Sequence, residues 1–348
     1  MVTIGYLHYR KRPEKLNKAY AFAAVAKAEG AELLYFSPSA VDFEKRKIRG
    51  YIYMDGKWVK IISDFPDVVY NSVGFSTERQ DDIVDRLMDL IPFTSYSIGN
   101  KMTVFNNLVK YGKFLDYLIP TENIISVKHF FDFIDKYTKI VIKPSIGCQG
   151  IDVYYIEKLN NTYQILLASQ VLHLNLKEAT DFIVDKINTQ AYIAQPYINS
   201  RTKTGDSFDI RLHMQKNSKG DWVSAKIYPR ISVTGSIVCN IHSGGYTADP
   251  KTFFRREFGD DYFDIRLQIE DFGLKLAAHM DKIQKELYNE KLDELGIDIG
   301  LDENRKIYIY EINWRPGYPP SMSADLGVIK NLVHYSIFLV TGERGNMQ

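Results

Sequence analysis

The sequence predicts an α/β (α+β) protein in which a small α/β unit precedes a β-rich part. The chain opens with an apolar segment at 2–7, a helical pattern at 14–29 that stops before Gly30, and a second apolar segment at 31–36. This βαβ order is typical of a parallel sheet. After Pro120 the apolar runs become short and strand-like. At 348 residues the chain is too long for one average domain, so we expect two or three packed units.

The remaining elements follow from periodicity and from turn residues. Asp55-Gly56 predicts a hairpin between strands at 50–54 and 57–62, and a further strand covers 68–70. Helices are expected at 77–91, 101–118, 128–137, 176–187 and 265–290, with Pro120 closing the second of them. Strands are expected at 139–144, 151–156, 163–168, 191–198, 208–216, 222–233, 297–302 and 307–313.

Composition narrows the classes of partner and location. Lys and Arg number 44 against 43 Asp and Glu, so the net charge of +1 gives no electrostatic case for nucleic acid or an anionic membrane. Two cysteines and the lack of a charged-then-apolar leader favour a cytoplasmic location. No apolar run approaches the ~18 residues that span a bilayer. A homo-oligomer is one open alternative, because an apolar helix face can pack inside the chain or against a second copy.

Residues 297–317 predict a β-hairpin with an acidic face. If 303–306 form a four-residue loop, Asp298 lies opposite Glu311 and Asp302 opposite Ile307. One face is then apolar and is made by Ile297, Ile299, Leu301, Tyr308, Tyr310 and Ile312. The other face carries Asp298, Glu311 and Asn313.

This acidic face has the ligand types of a magnesium site. Directly opposed carboxylates repel one another unless a cation lies between them. Two carboxylates and an amide carbonyl are hard oxygen donors, which suit Mg²⁺ bound together with substrate phosphates. The alternative is an ordinary hairpin with a solvated acidic face.

A second motif surrounds Lys143, which ends an apolar strand. The segment 144–150 that follows contains Gly147 and Gly150 and leads into another strand. Such a turn can present backbone N–H groups to phosphate oxygens, while the lysine supplies a point charge. The alternative is a plain hairpin with a lysine that reaches the surface.

A third motif is the alternation in 208–215. Phe208, Ile210, Leu212 and Met214 share one face, and Asp209, Arg211, His213 and Gln215 share the other. Arg211 and His213 therefore project together, with Arg230 on the next strand. Arginines suit bidentate contacts with carboxylate or phosphate, although a polar sheet face can also simply meet water.

Two further segments are candidates for binding. Gln195-Pro196 lies near the end of an apolar strand, where proline removes a ladder donor. This fits a hinge whose backbone groups pair with a planar base, or a strand that simply ends. Asn240 and the Ser243-Gly244-Gly245 turn predict a flexible loop.

Taken in order, these motifs resemble the ATP-grasp superfamily. The matching pieces are a helix that begins at Asn100-Lys101, the run IVIKPSIGCQG, the hinge strand, the Asp-x-Arg strand, and the late Asp and Glu-x-Asn set. Within the superfamily the chain resembles the YheC/YheD-like group, which is called endospore coat-associated, through SFDIRLHMQKNSKGDW, YPRISVTGSIVCN, HSGG and EINWRPG. The likeness covers about residues 95–320. It implies an ATP-grasp fold with a lead domain at 1–98, a first subdomain with a phosphate lid at 99–193 and a second subdomain with the metal site at 194–348, the two subdomains clasping ATP.

The resemblance also implies roles for individual residues. Lys101 and Lys143 would hold phosphates, and Arg211 and Arg230 would contact phosphate or the acyl substrate. The remaining implied sets are Ser145, Gly147, Gln149 and Gly150 in the lid, Gln195, Tyr197 and Ile198 at adenine, Asn240 nearby, and Asp298, Glu311 and Asn313 on two Mg²⁺ ions, with Mn²⁺ as a substitute. The chain departs from the family at Gln195, where many relatives have an acidic residue, and at Trp314-Arg315, where small residues are common.

The reaction that the resemblance implies is an ADP-forming, ATP-dependent ligation of a carboxylate to an amine through an acyl phosphate. The substrates would be small molecules, namely amino acids or peptides joined by a peptide bond. Two alternatives stay open: a nucleotide-binding, spore-coat-associated structural protein without catalysis, and a phosphotransferase of the same fold.

Overall fold

The computed structural model describes residues 1–75, 77–147, 150–167, 170–233, 235–237, 239, 241, 244–317, 319 and 325–345. These residues form three sheets with helices packed on them, which confirms the mixed α/β class. The helices are α1 (Asn17–Ala28), α2 (Glu78–Met88), α3 (Lys101–Tyr111), α4 (Val127–Tyr137), α5 (Leu176–Thr189), α6 (Pro250–Phe258), α7 (Tyr262–Tyr288) and α8 (Leu326–Gly345).

The first sheet is built by the N-terminal part of the chain. Its strands are β1 (Val2–Leu7), β2 (Ala31–Phe36), β3 (Val41–Asp42), β4 (Lys47–Met54), β5 (Lys57–Asp64) and β6 (Val68–Asn71). The order is β3-β4-β2-β1-β6, and β5 extends β4 as the predicted hairpin. Strand β1 runs parallel to both β2 and β6, so the βαβ opening is confirmed.

The C-terminal helix returns to this first sheet. Helix α8 packs beside α1, and Ile329, Leu332 and Val333 join Phe22 in the buried cluster on that face. The sequence patterns did not indicate α8 or the short α6. The domain ranges 1–98, 99–193 and 194–348 stay a prediction, and α8, from the last of them, packs on the sheet of the first.

The second sheet is antiparallel. Its strands are β7 (Glu122–Asn123), β8 (Lys139–Pro144), β9 (Tyr154–Leu159), β10 (Thr162–Leu167), β11 (Gln170–Asn175) and β12 (Tyr192–Pro196), in the order β11-β10-β9-β8-β12-β7. Phe130, Phe133 and Ile134 of α4 and Ile183 of α5 pack against it. Lys143 lies opposite Ile193 on the β8–β12 pair, which places the loop after β8 at one end of this sheet.

The third sheet carries the predicted hairpin. Its strands are β13 (Phe208–Lys216), β14 (Trp222–Ile231), β15 (Tyr246–Thr247), β16 (Glu294–Leu301) and β17 (Ile307–Trp314), in the order β15-β14-β13-β16-β17. The apolar face of β13 and β16 packs against α3, α6 and α7, where Leu212, Phe254 and Leu276 are buried together.

Helix α3 ends earlier than predicted. The Asn100 side chain caps its start by accepting from the Thr103 N–H at 2.9 Å. Its last residue is Tyr111, and Gly112 follows with a φ of 67° in the left-handed region. Glycine adopts this region readily, so the predicted range 101–118, closed by Pro120, was wrong at its C-terminal end.

The register of the β16–β17 hairpin is partly as predicted. Asp298 lies opposite Glu311, but the register then shifts and Ile299 lies opposite Ile309. Tyr310 is therefore the extra residue of a β-bulge. Leu301, and not Asp302, lies opposite Ile307.

The bulge also corrects the predicted apolar face. Ile307 and Ile309 join Ile312 in the core, whereas Tyr308 and Tyr310 lie outside this cluster. The shift allows three isoleucines of one strand to bury, and it leaves the Tyr310 side chain beside Gly300, where a Cβ atom would collide with the phenol.

Candidate functional site

A cleft lies between the second and third sheets, and the first residue of α3 also lines it. Ten of the residues predicted from the sequence line it, namely Lys101, Lys143, Gly147, Gly150, Gln195, Tyr197, Ile198, Arg230, Asp298 and Glu311. Three others, Ser145, Arg211 and Asn313, are not part of this lining. Gln149 and Asn240 lie outside the described residues, as does Ser243 of the predicted loop.

Two lysines from different elements converge on Glu311. Lys101 is the first residue of α3; its Nζ donates to the Gly147 carbonyl at 2.7 Å and lies 3.5 Å from Glu311 Oε1. Lys143 projects from β8 and donates to the Tyr310 carbonyl at 3.3 Å. Burial lowers the pKa of Lys143 and Lys101 adds to this effect, while Glu311 opposes it. The two lysines thus make the cationic part of the cleft.

A ladder of alternating charges crosses the third sheet beneath the cleft. We call Asp209, Arg211, Arg230 and Asp298 the charge ladder; each of them is more than nine-tenths buried. Arg230 faces Asp209 across β13 and β14, and its Nε and Nη2 donate to the two carboxylate oxygens at 2.6 and 2.8 Å. Arg211 faces Asp298 across β13 and β16 and makes the equivalent fork, with 2.9 Å for the Nη2 to Oδ2 bond.

The two halves of the charge ladder are joined. Arg230 Nη2 lies 3.0 Å from Asp298 Oδ2, so Asp298 contacts both guanidinium groups. Burial alone would raise the pKa of Asp298, but Arg211 and Arg230 hold it below its usual range. Asp298 is therefore a carboxylate that stays ionised although it is buried.

The charge ladder limits how freely Arg211 and Arg230 could contact a substrate. Both guanidinium charges already have carboxylate partners, and of the two only Arg230 lines the cleft. Their contact with a phosphate or an acyl substrate stays a prediction. His213 does project from the same face as Arg211, but its Nε2 pairs with Glu294 Oε2 at 3.1 Å and it is not part of the lining.

Two residues of the cleft lining and one beside them on β17 fit a divalent cation. Asp298 and Glu311 are directly opposed on β16 and β17, and Asn313 follows on the same side of β17, opposite Gly296. The donors are two carboxylates and an amide oxygen, as Mg²⁺ prefers. Among the described residues no group of three or more His, Cys, Asp or Glu side chains could hold a metal ion. An ion here would thus depend on this small donor set together with phosphate oxygens.

Part of the lining of the cleft is apolar. It is made by Ile119, Val141, Val153, Phe208 and Ile237. Beyond β12, the Tyr197 N–H donates to the Lys139 carbonyl and the Ile198 carbonyl accepts from Ser200, both at 2.9 Å. The Ile198 N–H has no hydrogen-bond acceptor within the described part of the chain. An apolar slot with a backbone donor at its edge suits a planar base.

The Gln195 side chain is less available than the sequence suggested. It is nine-tenths buried, and its amide nitrogen donates to the Thr121 hydroxyl at 2.7 Å. Gln195 still lines the cleft, so its predicted contact with the base stays a prediction.

Sequence reasoning missed several lining residues. Asp209 belongs to the polar face of β13, whose alternation could have indicated it. Tyr310 reaches the cleft through the bulge, which no sequence signal indicated. Cys239 also lines the cleft, and burial raises the pKa of its thiol well above the ordinary value.

Comparison with known families agrees with this geometry. The sequence model of the YheC/D-like ATP-grasp family matches residues 90–339, which include α3, the cleft and the hairpin. The chain belongs to the YheC/D-like ATP-grasp family. The endospore coat-associated protein YheD of Bacillus subtilis (strain 168) is 24% identical over 332 residues, which is 90% of this chain and 71% of YheD.

Solved structures show the same fold for this YheC/D-like chain. The RiPP-associated ATP-grasp ligase of Chryseobacterium gregarium, in complex with ADP and a leader and core peptide, matches with a TM-score of 0.52 at 12% identity and covers 97% of each chain. The D-alanine-D-alanine ligase of Coxiella burnetii matches with a TM-score of 0.53 at 13% identity, covering 100% of this chain and 98% of that one. The predicted ATP-grasp fold is confirmed. No helix in the described part of the chain is long and apolar enough to cross a membrane.

Proposed function

We propose that the protein is an ATP-dependent carboxylate–amine ligase that releases ADP. One observation carries the proposal: Lys101 and Lys143, from two different elements, converge with the opposed pair Asp298 and Glu311 in a single cleft. Members of the ATP-grasp family are typically ADP-forming ligases, which supports the same reaction class.

In the proposed complex, ATP lies along the cleft with its base in the apolar slot. Lys101 and Lys143 meet the phosphates, and the lid segment 145–150 covers them. The Ile198 N–H and the carbonyl of Tyr197 contact the base, with Gln195 at its edge. This orientation places the γ-phosphate near Asp298 and Glu311.

Magnesium is part of the proposal. Two Mg²⁺ ions, or Mn²⁺ in their place, would be held by Asp298, Glu311 and Asn313 with phosphate oxygens. When bound, they would neutralise charge on the phosphates. The charge ladder supports this role, because Arg211 and Arg230 keep Asp298 ionised and fix its position on β16.

The proposed reaction has two steps. A substrate carboxylate oxygen attacks the γ-phosphorus of ATP, and the bond to ADP breaks. The amine then attacks the acyl phosphate carbon, the phosphate leaves, and a proton is lost from nitrogen to give the amide. Both steps need positioning and charge neutralisation more than a protein nucleophile. Amino acids or peptides are the proposed carboxylate and amine substrates, and Arg211 and Arg230 keep their proposed part in contacting phosphate or acyl groups.

ADP release tests the proposal directly. Purified protein, Mg-ATP and a panel of amino acids and short peptides are incubated, ADP is measured, and the condensed product is identified by mass. We expect ADP and an amide in equal amounts, and no turnover in Glu311→Ala. Nucleotide binding without ADP release would instead support a structural, nucleotide-binding protein, and a phosphorylated product without an amide would support a phosphotransferase.

The cellular location can be proposed only in broad terms. YheD is named for its association with the endospore coat. We infer a cytoplasmic or spore-associated protein, with an activity that acts on small molecules and not on nucleic acid.

A further inference from the structure

We propose that Tyr197 and Ser207 bind the sugar hydroxyls of the nucleotide and make the cleft selective for a ribonucleotide. This inference rests on the proposed function, because it takes a nucleotide as the ligand of the cleft. It assigns the sugar contact to two hydroxyl groups and to no carboxylate, unlike the acidic residue that holds the ribose in dinucleotide-binding folds.

Both hydroxyls are buried at the cleft without a protein partner. Tyr197 and Ser207 belong to the lining, and neither Tyr197 Oη nor Ser207 Oγ has a hydrogen-bond partner among the described residues. Ser207 is only 4% exposed. Another lining serine differs, since Ser200 Oγ donates to the Phe208 carbonyl at 2.8 Å. Because a buried hydroxyl without a partner costs free energy, the two groups suit a ligand that both donates and accepts hydrogen bonds.

The carboxylates of the described lining already have other partners or proposed roles. They are Asp209, Asp298 and Glu311. Both oxygens of Asp209 accept from Arg230, at 2.6 and 2.8 Å, and the other two carboxylates are the proposed metal ligands. The amide nitrogen of Gln195 is likewise bonded within the protein. Within the described part of the cleft, the free hydroxyls are therefore the polar groups best suited to meet a sugar.

The place of Ser207 along the third sheet fits a sugar. Ser207 directly precedes β13, and its carbonyl accepts from the Ser232 N–H at 2.9 Å, so the β13–β14 ladder continues to this residue. Asp209 and Arg211 follow in two-residue steps, and Arg211 faces Asp298. With a rise of about 3.3 Å per residue, the Cα of Ser207 lies about 13 Å from that of Arg211. A sugar at Ser207 thus leaves room for the phosphates before the proposed metal ligand Asp298.

Tyr197 lies beside the proposed base contact and is held in place by the protein. It directly precedes Ile198, whose N–H is proposed to contact the base. The Tyr197 N–H donates to the Lys139 carbonyl at 2.9 Å, and its ring lies edge-on to Tyr155 with the centroids 4.9 Å apart. Because the backbone and the ring are already fixed, the phenol loses little freedom when it binds a ligand.

Two matched nucleotides and one matched serine test the sugar contact. ADP and its dideoxy form, which lacks both sugar hydroxyls, are bound to the full chain with Mg²⁺, and their affinities are measured by calorimetry. We expect the wild type to prefer ADP at least about 10-fold. Tyr197→Phe and Ser207→Ala should each reduce this preference at least about threefold, and the double variant should nearly abolish it. Ser232→Ala is the control: the Ser232 hydroxyl is also buried without a described partner, but Ser232 does not line the cleft, so the full preference should persist.

Several outcomes would overturn the sugar contact. Equal binding of both nucleotides by the wild type would do so, as would a full preference in the double variant or an equal loss in Ser232→Ala and Ser207→Ala. If circular dichroism shows that the double variant does not fold, full preferences in both single variants would have the same meaning. Absence of binding by either nucleotide would refute the nucleotide site together with the contact. A preference for ADP without ADP release from ATP would refute only the ligase proposal.

Discussion

Removal of the two opposed carboxylates should separate stability from activity. Asp298 and Glu311 face each other, yet their surroundings differ. Asp298 is 5% exposed and accepts from two buried guanidinium groups. The Glu311 side chain is 28% exposed, and its nearest cation is Lys101 at 3.5 Å. Asp298→Asn and Glu311→Gln keep the shape of each side chain but replace its carboxylate by a neutral amide.

The contacts of each carboxylate determine how much stability and how much activity its variant should lose. Asp298→Asn leaves Arg211 without a carboxylate among the described residues, while Arg230 keeps Asp209. Breaking a buried pair by removing one partner costs about 3 to 5 kcal/mol. For Glu311→Gln the long, partly exposed contact predicts a loss below about 1 kcal/mol. Because both residues are proposed metal ligands, both variants should lower the ADP release rate at least about 100-fold.

Urea unfolding followed by circular dichroism measures the loss of stability. Coupled ADP detection measures the fall in the ADP release rate. With a urea dependence of about 3 kcal/mol per M, the midpoint of Asp298→Asn should fall by about 1 to 1.7 M. Glu303→Gln, in the exposed turn of the same hairpin, is the control and should change neither quantity. Equal midpoints for Asp298→Asn and the wild type would refute the charge-ladder argument. Normal ADP release by Glu311→Gln would refute the metal assignment.

Three further predictions concern other parts of the molecule. Lys101→Met should weaken nucleotide binding about 10- to 100-fold because a charged phosphate donor is lost. Lys110→Met, on the exposed side of the same helix, is the control and should not weaken it. Equal affinities of the two variants in a fluorescent-ADP titration would contradict this prediction. Burial, Arg10 and Lys18 lower the pKa of His8 to about 4 in the folded chain. As pH decreases from about 6.5 to about 4, His8 is therefore protonated in the unfolded chain before it is protonated in the folded one, and stability falls. Between pH 7 and pH 5 this contribution is about 2 kcal/mol, and His8→Gln should remove it from the urea midpoint; an unchanged pH dependence would contradict the assignment. Gly300→Ala should destabilise by about 1 to 3 kcal/mol because its Cβ collides with the Tyr310 phenol; an unchanged melting temperature would show that the bulge adapts.

Much of the fold could be predicted from patterns of residues that are close together in the sequence. Alternation in 208–215 placed Arg211 on the polar face of β13, and hairpin counting placed Asp298 opposite Glu311. Both inferences rest on the two-residue period of a strand, which is a local property. The same counting failed beyond Asp298, because the bulge at Tyr310 is set by which isoleucines reach the core.

The sequence by itself determined the βαβ opening, the main strands, the acidic hairpin face and the family resemblance, since each depends on residues that are near one another in the chain. Only the tertiary structure decided the partners of the charges. Arg211 meets Asp298 across 87 residues, and Arg315 meets Asn71 across 244. An arginine with a carboxylate partner and one without look alike in a sequence. Distant strands must pack before Arg211 meets its carboxylate within the sheet and before Arg315 meets the end of β6.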